Sequence, residues 1–157
     1  MKKITAFICA VVLTFSLTAC SSDTKDSETV TITISELAEA LLETVTSDSL
    51  SETASSLVPS IYYLDEEKVA SSVAYASSGA TACEIAVIES SDADSTADVE
   101  SGMQTRVDNQ IELYTSYNES EASRLETAII KSVGVYTVLC VCDDTDAAEE
   151  ILESYGF

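Results

Sequence analysis

Val133-Gly134-Val135-Tyr136-Thr137-Val138-Leu139-Cys140-Val141-Cys142 is the most apolar run downstream of Cys20. β-Branched and aromatic residues fill it with no polar alternation, the pattern of a strand buried on both faces. Such a strand needs a partner on each edge and a layer of side chains above and below it. Upstream, Val69 to Ser77 mixes small residues with Val73 and Tyr75, Ser78-Gly79 marks a turn, and Cys83-Glu84-Ile85-Ala86-Val87-Ile88 is a second β-like run. The spacing predicts a hairpin over about residues 69–90.

The covering layers are read from apolar stripes. Val99, Met103, Val107, Ile111 and Tyr114 recur at helical spacing and predict a helix of about five turns. Asp92 to Asp98 place negative charge where that helix should begin. Asn118 with Glu121 resembles a capping box opening another helix, with Leu125, Ile129 and Ile130 on its buried side. Thr33, Ser35 and Glu36 carry start signals for a helix over about residues 35–46, with Leu37, Ala38, Leu41, Leu42 and Val45 inward. Val30, Ile32 and Ile34 alternate with threonine just before it, as a brief strand would. Asp144 or Thr145 should cap a last helix through Ile151, Leu152 and Tyr155 to Gly156. Strand pairing of this local kind, followed by helices, predicts an α+β domain. Its small antiparallel sheet would have three or more strands, including the hairpin and the 133–142 run, covered by helices.

The first residues carry a different signal. Lys2 and Lys3 are basic, Ile4 to Phe15 is almost wholly apolar, and Leu17-Thr18-Ala19-Cys20 follows. The apolar stretch is shorter than the ~20 residues a membrane-spanning helix needs. The layout is that of a signal peptide. Cleavage between Ala19 and Cys20, with diacylglyceryl on the Cys20 thiol, is the expected processing. An ordinary secretory signal with a chance cysteine is the alternative. Residues 1–19 are thus expected to be a lipoprotein signal peptide, residues 20–29 a lipidated cysteine and flexible polar spacer, and residues 30–157 one compact domain. The expected location is the cell membrane, lipid-anchored, on its extracytoplasmic face.

Charge narrows the partners. The chain holds 28 acidic and 7 basic residues for a net charge of −21, and Lys2 and Lys3 would leave with the leader. A field of this sign repels phosphate backbones, so nucleic acid is not an expected partner. A protein or a neutral or cationic envelope ligand is, besides the membrane itself through Cys20. No cofactor is expected. The chain has no histidine and only 4 glycines, and it contains neither a Gly-x-Ser-x-Gly elbow nor a phosphate loop. Asp92, Asp94 and Asp98 fail the calcium-loop pattern, because the sixth and twelfth positions are Ala97 and Met103. Asp143, Asp144 and Asp146 read as charges at a helix start rather than as metal ligands.

Cys83, Cys140 and Cys142 are an odd set and cannot all pair. Cys140 and Cys142 share one face of a strand and are poorly placed to bridge each other. Three buried thiols are expected, with a bridge from Cys83 possible if its strand neighbours theirs.

Arg106 and Gln110 fall inside the apolar arc of the Val99–Tyr114 stripe, and a guanidinium there needs a carboxylate. Glu84, in the second strand of the hairpin, is the preferred partner. Two readings of Glu84, Arg106 and Gln110 stand: a pair locking helix to sheet, or a ligand-contact cluster.

The runs Ala82-Cys83-Glu84-Ile85-Ala86-Val87, Arg106-Val107-Asp108-Asn109-Gln110 with Tyr117 downstream, and Gly134-Val135-Tyr136-Thr137-Val138 resemble a family of small lipoproteins of Firmicutes, chiefly Clostridia. That family carries a domain of unknown function. The similarity spans about residues 30–157, and its most specific part maps onto Glu84, Arg106 and Gln110. Where such proteins usually show asparagine before the last strand, this chain has Gly134-Val135. The resemblance implies a Gram-positive envelope lipoprotein and supplies no activity. The function expected is a non-enzymatic binding or accessory domain held at the membrane, with a small carboxylate-dependent envelope hydrolase as the alternative.

Overall fold

A computed structural model describes residues 31–157, and the leader, Cys20 and the spacer lie outside them. In chain order the elements are α1 (Ile34–Leu42), β1 (Ser51–Glu52), α2 (Val58–Ile61), β2 (Val69–Ala76), β3 (Glu84–Ser90), α3 (Thr96–Thr115), α4 (Glu119–Leu125), β4 (Ile129–Val133), β5 (Tyr136–Val141) and α5 (Thr145–Ser154). Single 3-10 turns precede α2 and β2.

The five strands form one antiparallel sheet in the order β1-β2-β3-β5-β4. The α+β expectation therefore holds, as does the hairpin, whose arms pair from Val69↔Ser90 to Ala76↔Glu84. β3 and β5 are the central strands, and every residue of β5 is buried. Alternation divides the core in two. Ala86 and Ile88 of β3, with Leu139 and Val141 of β5, face Val99, Met103 and Val107 of α3 and Leu125 of α4. Ile85 and Val87, with Val138 and Cys140, face Leu37 and Leu41 of α1 and Ala148 and Leu152 of α5. The sheet is thus a middle layer, which is why its central strands lack polar alternation. Each fully buried Leu, Ile, Val or Met contributes about 1.5–3 kcal/mol.

Several boundaries differ from those the sequence suggests. The 133–142 run is not one strand: Val133 ends β4, Gly134 and Val135 turn, and Tyr136 opens β5 opposite Val133. Gly134 takes φ +58, as the first position of a two-residue hairpin turn requires. Asparagine is the side-chain residue that best tolerates this left-handed region, so Asn and Gly are alternative solutions to one backbone demand. The helix expected to reach Ile130 stops at Leu125, and Ile129 and Ile130 belong to β4. β-Branched Ile129, Ile130 and Val133 flanking the polar Lys131 and Ser132 suit an edge strand better than a helix face. Residues 31–33 form no strand, although Ile32 is buried, and Val30 lies outside the described residues. α1 spans Ile34–Leu42 rather than 35–46, and Thr33 caps it without a side-chain bond. α5 starts as read, with Asp144 accepting from the Ala147 N–H.

Two close approaches set the position of α2. A Cβ on Gly102 of α3 would stand 2.2 Å from the carbonyl oxygen of Tyr62, so only glycine lets the end of α2 rest on α3. Tyr63 then takes φ +59, and the Leu64 N–H donates back to the Pro59 carbonyl at 2.8 Å. That six-to-one bond with a left-handed residue before it closes a helix in the Schellman manner. The consequence is that Tyr62 turns inward while Tyr63 stays exposed.

Candidate functional site

Glu84 opens β3 on the face that α3 covers, and its side chain is 6% exposed. A carboxylate so placed needs compensation. Arg106, about midway along α3, supplies it: Nη2 donates to Oε2 at 3.0 Å, and Nε donates to Oε1 and Oε2 at 3.3 and 3.2 Å. Tyr62 donates its hydroxyl to Oε1 at 2.5 Å. Burial works against the charge on Arg106, but the bonds and charge of Glu84 outweigh it and raise its affinity for the proton. Burial and the neighbouring Glu84 push the Tyr62 phenol far up, so it stays a donor.

The expected Glu84–Arg106 partnership is therefore present, and it ties β3, α2 and α3 together. Gln110 is brought to the same place by its position one turn beyond Arg106, but its side chain makes no hydrogen bond among the described residues. With Arg106, Glu84, Tyr114 and the β2–β3 loop at Ser77, Gly79 and Thr81, it lines a pocket of about 110 Å³. A space of that size holds roughly three waters or one small polar group. The loop that forms its rim is held by Asp48, whose Oδ2 accepts from Ser77 at 2.5 Å and Thr81 at 2.9 Å. Tyr114 donates to the Thr81 carbonyl at 2.7 Å.

A second network lies at the same end of the sheet and escaped the sequence reading. Glu121, expected to close a capping box, instead accepts from the Ala82 N–H at 2.7 Å and from Arg124 Nε at 3.0 Å. Arg124 also reaches the Cys142 carbonyl at 3.3 Å and pairs with Asp143. The other Asp143 oxygen accepts from the N–H groups of Thr46 and Ser47 at 2.6 and 2.7 Å. Burial raises the Asp143 carboxyl, but Arg124 and those two N–H groups outweigh it and hold it far below the usual carboxylate range. The sequence offered one clue, Arg124 three residues after Glu121 on a helix. Asp143, expected as a helix-start charge, belongs to this network instead, while Asp144 caps α5 and Asp146 lies in its first turn.

Among the described residues, Glu84 is the one carboxylate lining the pocket at Arg106, so paired carboxylates for hydrolysis are not assembled there. Asp65 and Asp98 do share a depression of about 190 Å³, but Lys68 bridges them at 3.9 and 2.8 Å. Among the described residues, no group of three or more Cys, Asp or Glu is placed to hold a metal ion, and no helix is long and apolar enough to cross a membrane. Cys83, Cys140 and Cys142 are buried and unbridged.

Residues 43–142 match the family model described as Domain of unknown function (DUF4358). The chain belongs to the DUF4358 family. The matched DUF4358 region holds the whole sheet, α2, α3 and α4, and with them Tyr62, Glu84, Arg106, Gln110, Glu121 and Arg124. Helices α1 and α5, which cover the opposite face, lie outside the match. No curated relative and no solved structure matches the chain.

Proposed function

We propose that this DUF4358 protein is a Gram-positive envelope lipoprotein, held by diacylglyceryl on Cys20 at the outer face of the cytoplasmic membrane. Its domain acts there as a non-enzymatic binding or accessory module. The anchor rests on Leu17-Thr18-Ala19-Cys20 behind a short apolar stretch. Two acyl chains on one cysteine meet the requirement for stable attachment.

The observation that carries the binding reading is the neutralised state of the central carboxylate. Glu84 accepts from Arg106 and from Tyr62, so its oxygens are already engaged by donors of the protein and are not free to act on a substrate as hydrolysis would need. Arg106 is 24% exposed. Its Nη1 and the Gln110 amide remain for a partner, which fits recognition of a neutral hydrogen-bonding group better than catalysis. The acidic surface favours a protein or a neutral or cationic envelope ligand.

Two measurements test the proposal. Cys20→Ala should abolish palmitate incorporation and release the chain from the membrane fraction; continued labelling of that variant would overturn the anchor. Capture with the full chain from an envelope extract should recover a partner that Gln110→Ala fails to recover. Turnover of an envelope glycan or peptide that disappears in Glu84→Gln would overturn the non-enzymatic reading.

A further inference from the structure

The sheet register brings two of the three cysteines among the described residues opposite each other. Glu84 and Val141 are Cα partners, so the next step outward sets Cys83 against Cys142. Both side chains lie on the α1/α5 side of the sheet, since they share parity with Ile85 and Cys140. The hydrogen-bond phase can also be read. Ser90 donates to the Val135 carbonyl, and alternation from that pair makes Glu84 and Val141 hydrogen-bonded and Cys83 and Cys142 not. Two further bonds agree: the Cys83 carbonyl turns away to accept from the Ser77 N–H, and the Cys142 carbonyl turns away to Arg124. Opposed residues at non-hydrogen-bonded positions stand about 4.5 Å apart at Cα, where side chains approach most closely. A disulfide accepts Cα separations of about 4.4–6.8 Å.

The same register excludes Cys140. Its Cα partner is Ile85, so Cys83 is its diagonal neighbour, at about 7–8 Å, beyond reach without backbone movement. Cys140 and Cys142 lie two apart on one strand and face the same way, which does not suit a bridge between them.

We propose that Cys83 and Cys142 are a built cross-strand disulfide site, with Cys140 the thiol that stays reduced. The oxidant is a small-molecule disulfide. A Cys142 or Cys83 thiolate attacks one of its sulfurs and expels one thiolate. The second cysteine, losing its proton to solvent, then attacks the mixed disulfide and expels the other. One S–S bond is made in the protein, one is broken in the oxidant, and two small thiols are released. Burial pushes the Cys83 thiol up. The Cys142 thiol is held down, to about 7, chiefly by its hydrogen bond with Cys140, against the effect of burial. Access is through the segment at Thr44 to Ser47: the Ser47 hydroxyl lies 3.8 Å from the Cys83 sulfur, and Asp143 holds the backbone of Thr46 and Ser47 in place.

The test uses the protein produced from the full sequence and purified from membranes. It is equilibrated with oxidised glutathione, then unfolded, alkylated and mapped by mass spectrometry. The expected product is one Cys83–Cys142 linked peptide with Cys140 fully alkylated. The Cys140→Ser variant should form the same Cys83–Cys142 bridge, while Cys83→Ser and Cys142→Ser, each confirmed folded by circular dichroism, should form no internal bridge. Asp143→Asn should speed oxidation several-fold by freeing the covering segment. A native product bridged through Cys140, or a glutathione adduct that never resolves to the internal disulfide, would overturn the assignment.

Discussion

Replacing Arg106 with alanine leaves Glu84 inside the protein with Tyr62 as its one remaining side-chain donor. Breaking a buried ion pair from one side costs about 3–5 kcal/mol. The Arg106 side chain is 24% exposed against 6% for Glu84, so water reaches the vacated side and the expected loss is about 2–4 kcal/mol. For a domain of this size that is roughly 8–15 °C in Tm. Thermal and urea unfolding of both proteins, followed by circular dichroism at pH 7, measure it. The double variant Glu84→Gln/Arg106→Met removes both charges and should recover much of the loss, giving a coupling energy of at least about 1 kcal/mol. An Arg106→Ala protein melting within 2–3 °C of wild type, or a double variant equal to the sum of its singles, would refute the reasoning.

Gly102→Ala pits two effects against each other. In an exposed helix the change would stabilise by about 1 kcal/mol. Here the added Cβ meets the Tyr62 carbonyl oxygen at 2.2 Å and Leu64 Cδ2 at 2.8 Å, so overpacking of about 1–3 kcal/mol or more should win; an unchanged or raised urea midpoint would contradict the close approach. Asp143 is held well below its ordinary range in the folded state. Its contribution is therefore present above the unfolded value of about 3.9 and is lost as the pH falls through the lower folded value. Asp143→Asn should lie below wild type in urea midpoint at pH 7, with the gap closing below about pH 4, and a constant gap from pH 7 to 3 would count against the network.

What the sequence made legible followed from periodicity. The α3 stripe, the β2–β3 hairpin and the Glu84–Arg106 pair were readable because each is a local pattern plus one polar group out of place. The β4–β5 turn was not, since Gly134 and Val135 sit inside a run whose hydrophobicity continues through the bend. Ile129 and Ile130 extended the α4 stripe at plausible helical spacing, and only the pairing of Ile130 with Leu139 decides otherwise. Tyr62 could not be placed at Glu84 from sequence, because its inward turn depends on the α2–α3 contact at Gly102. Glu121 and Arg124 are neighbours on α4, but Asp143 and the Ala82, Thr46 and Ser47 N–H groups reach them from separate loops, and no spacing rule spans that separation.

The placement of β3 has a consequence for the order in which the molecule can form. As the chain is made from its N-terminus, the β2–β3 hairpin is complete while β5 does not yet exist. The inner edge of β3 then presents unpaired backbone groups until α3, α4 and β4 have followed and Tyr136–Val141 can dock along Glu84–Glu89. That is a long-range pairing of the kind that slows folding and leaves an exposed edge open to other chains. Until then α3, contiguous with β3, is the one long helix able to shelter half of that unfinished sheet. Its glycine contact with α2 and its arginine clasp on β3 join segments that are all made before β5.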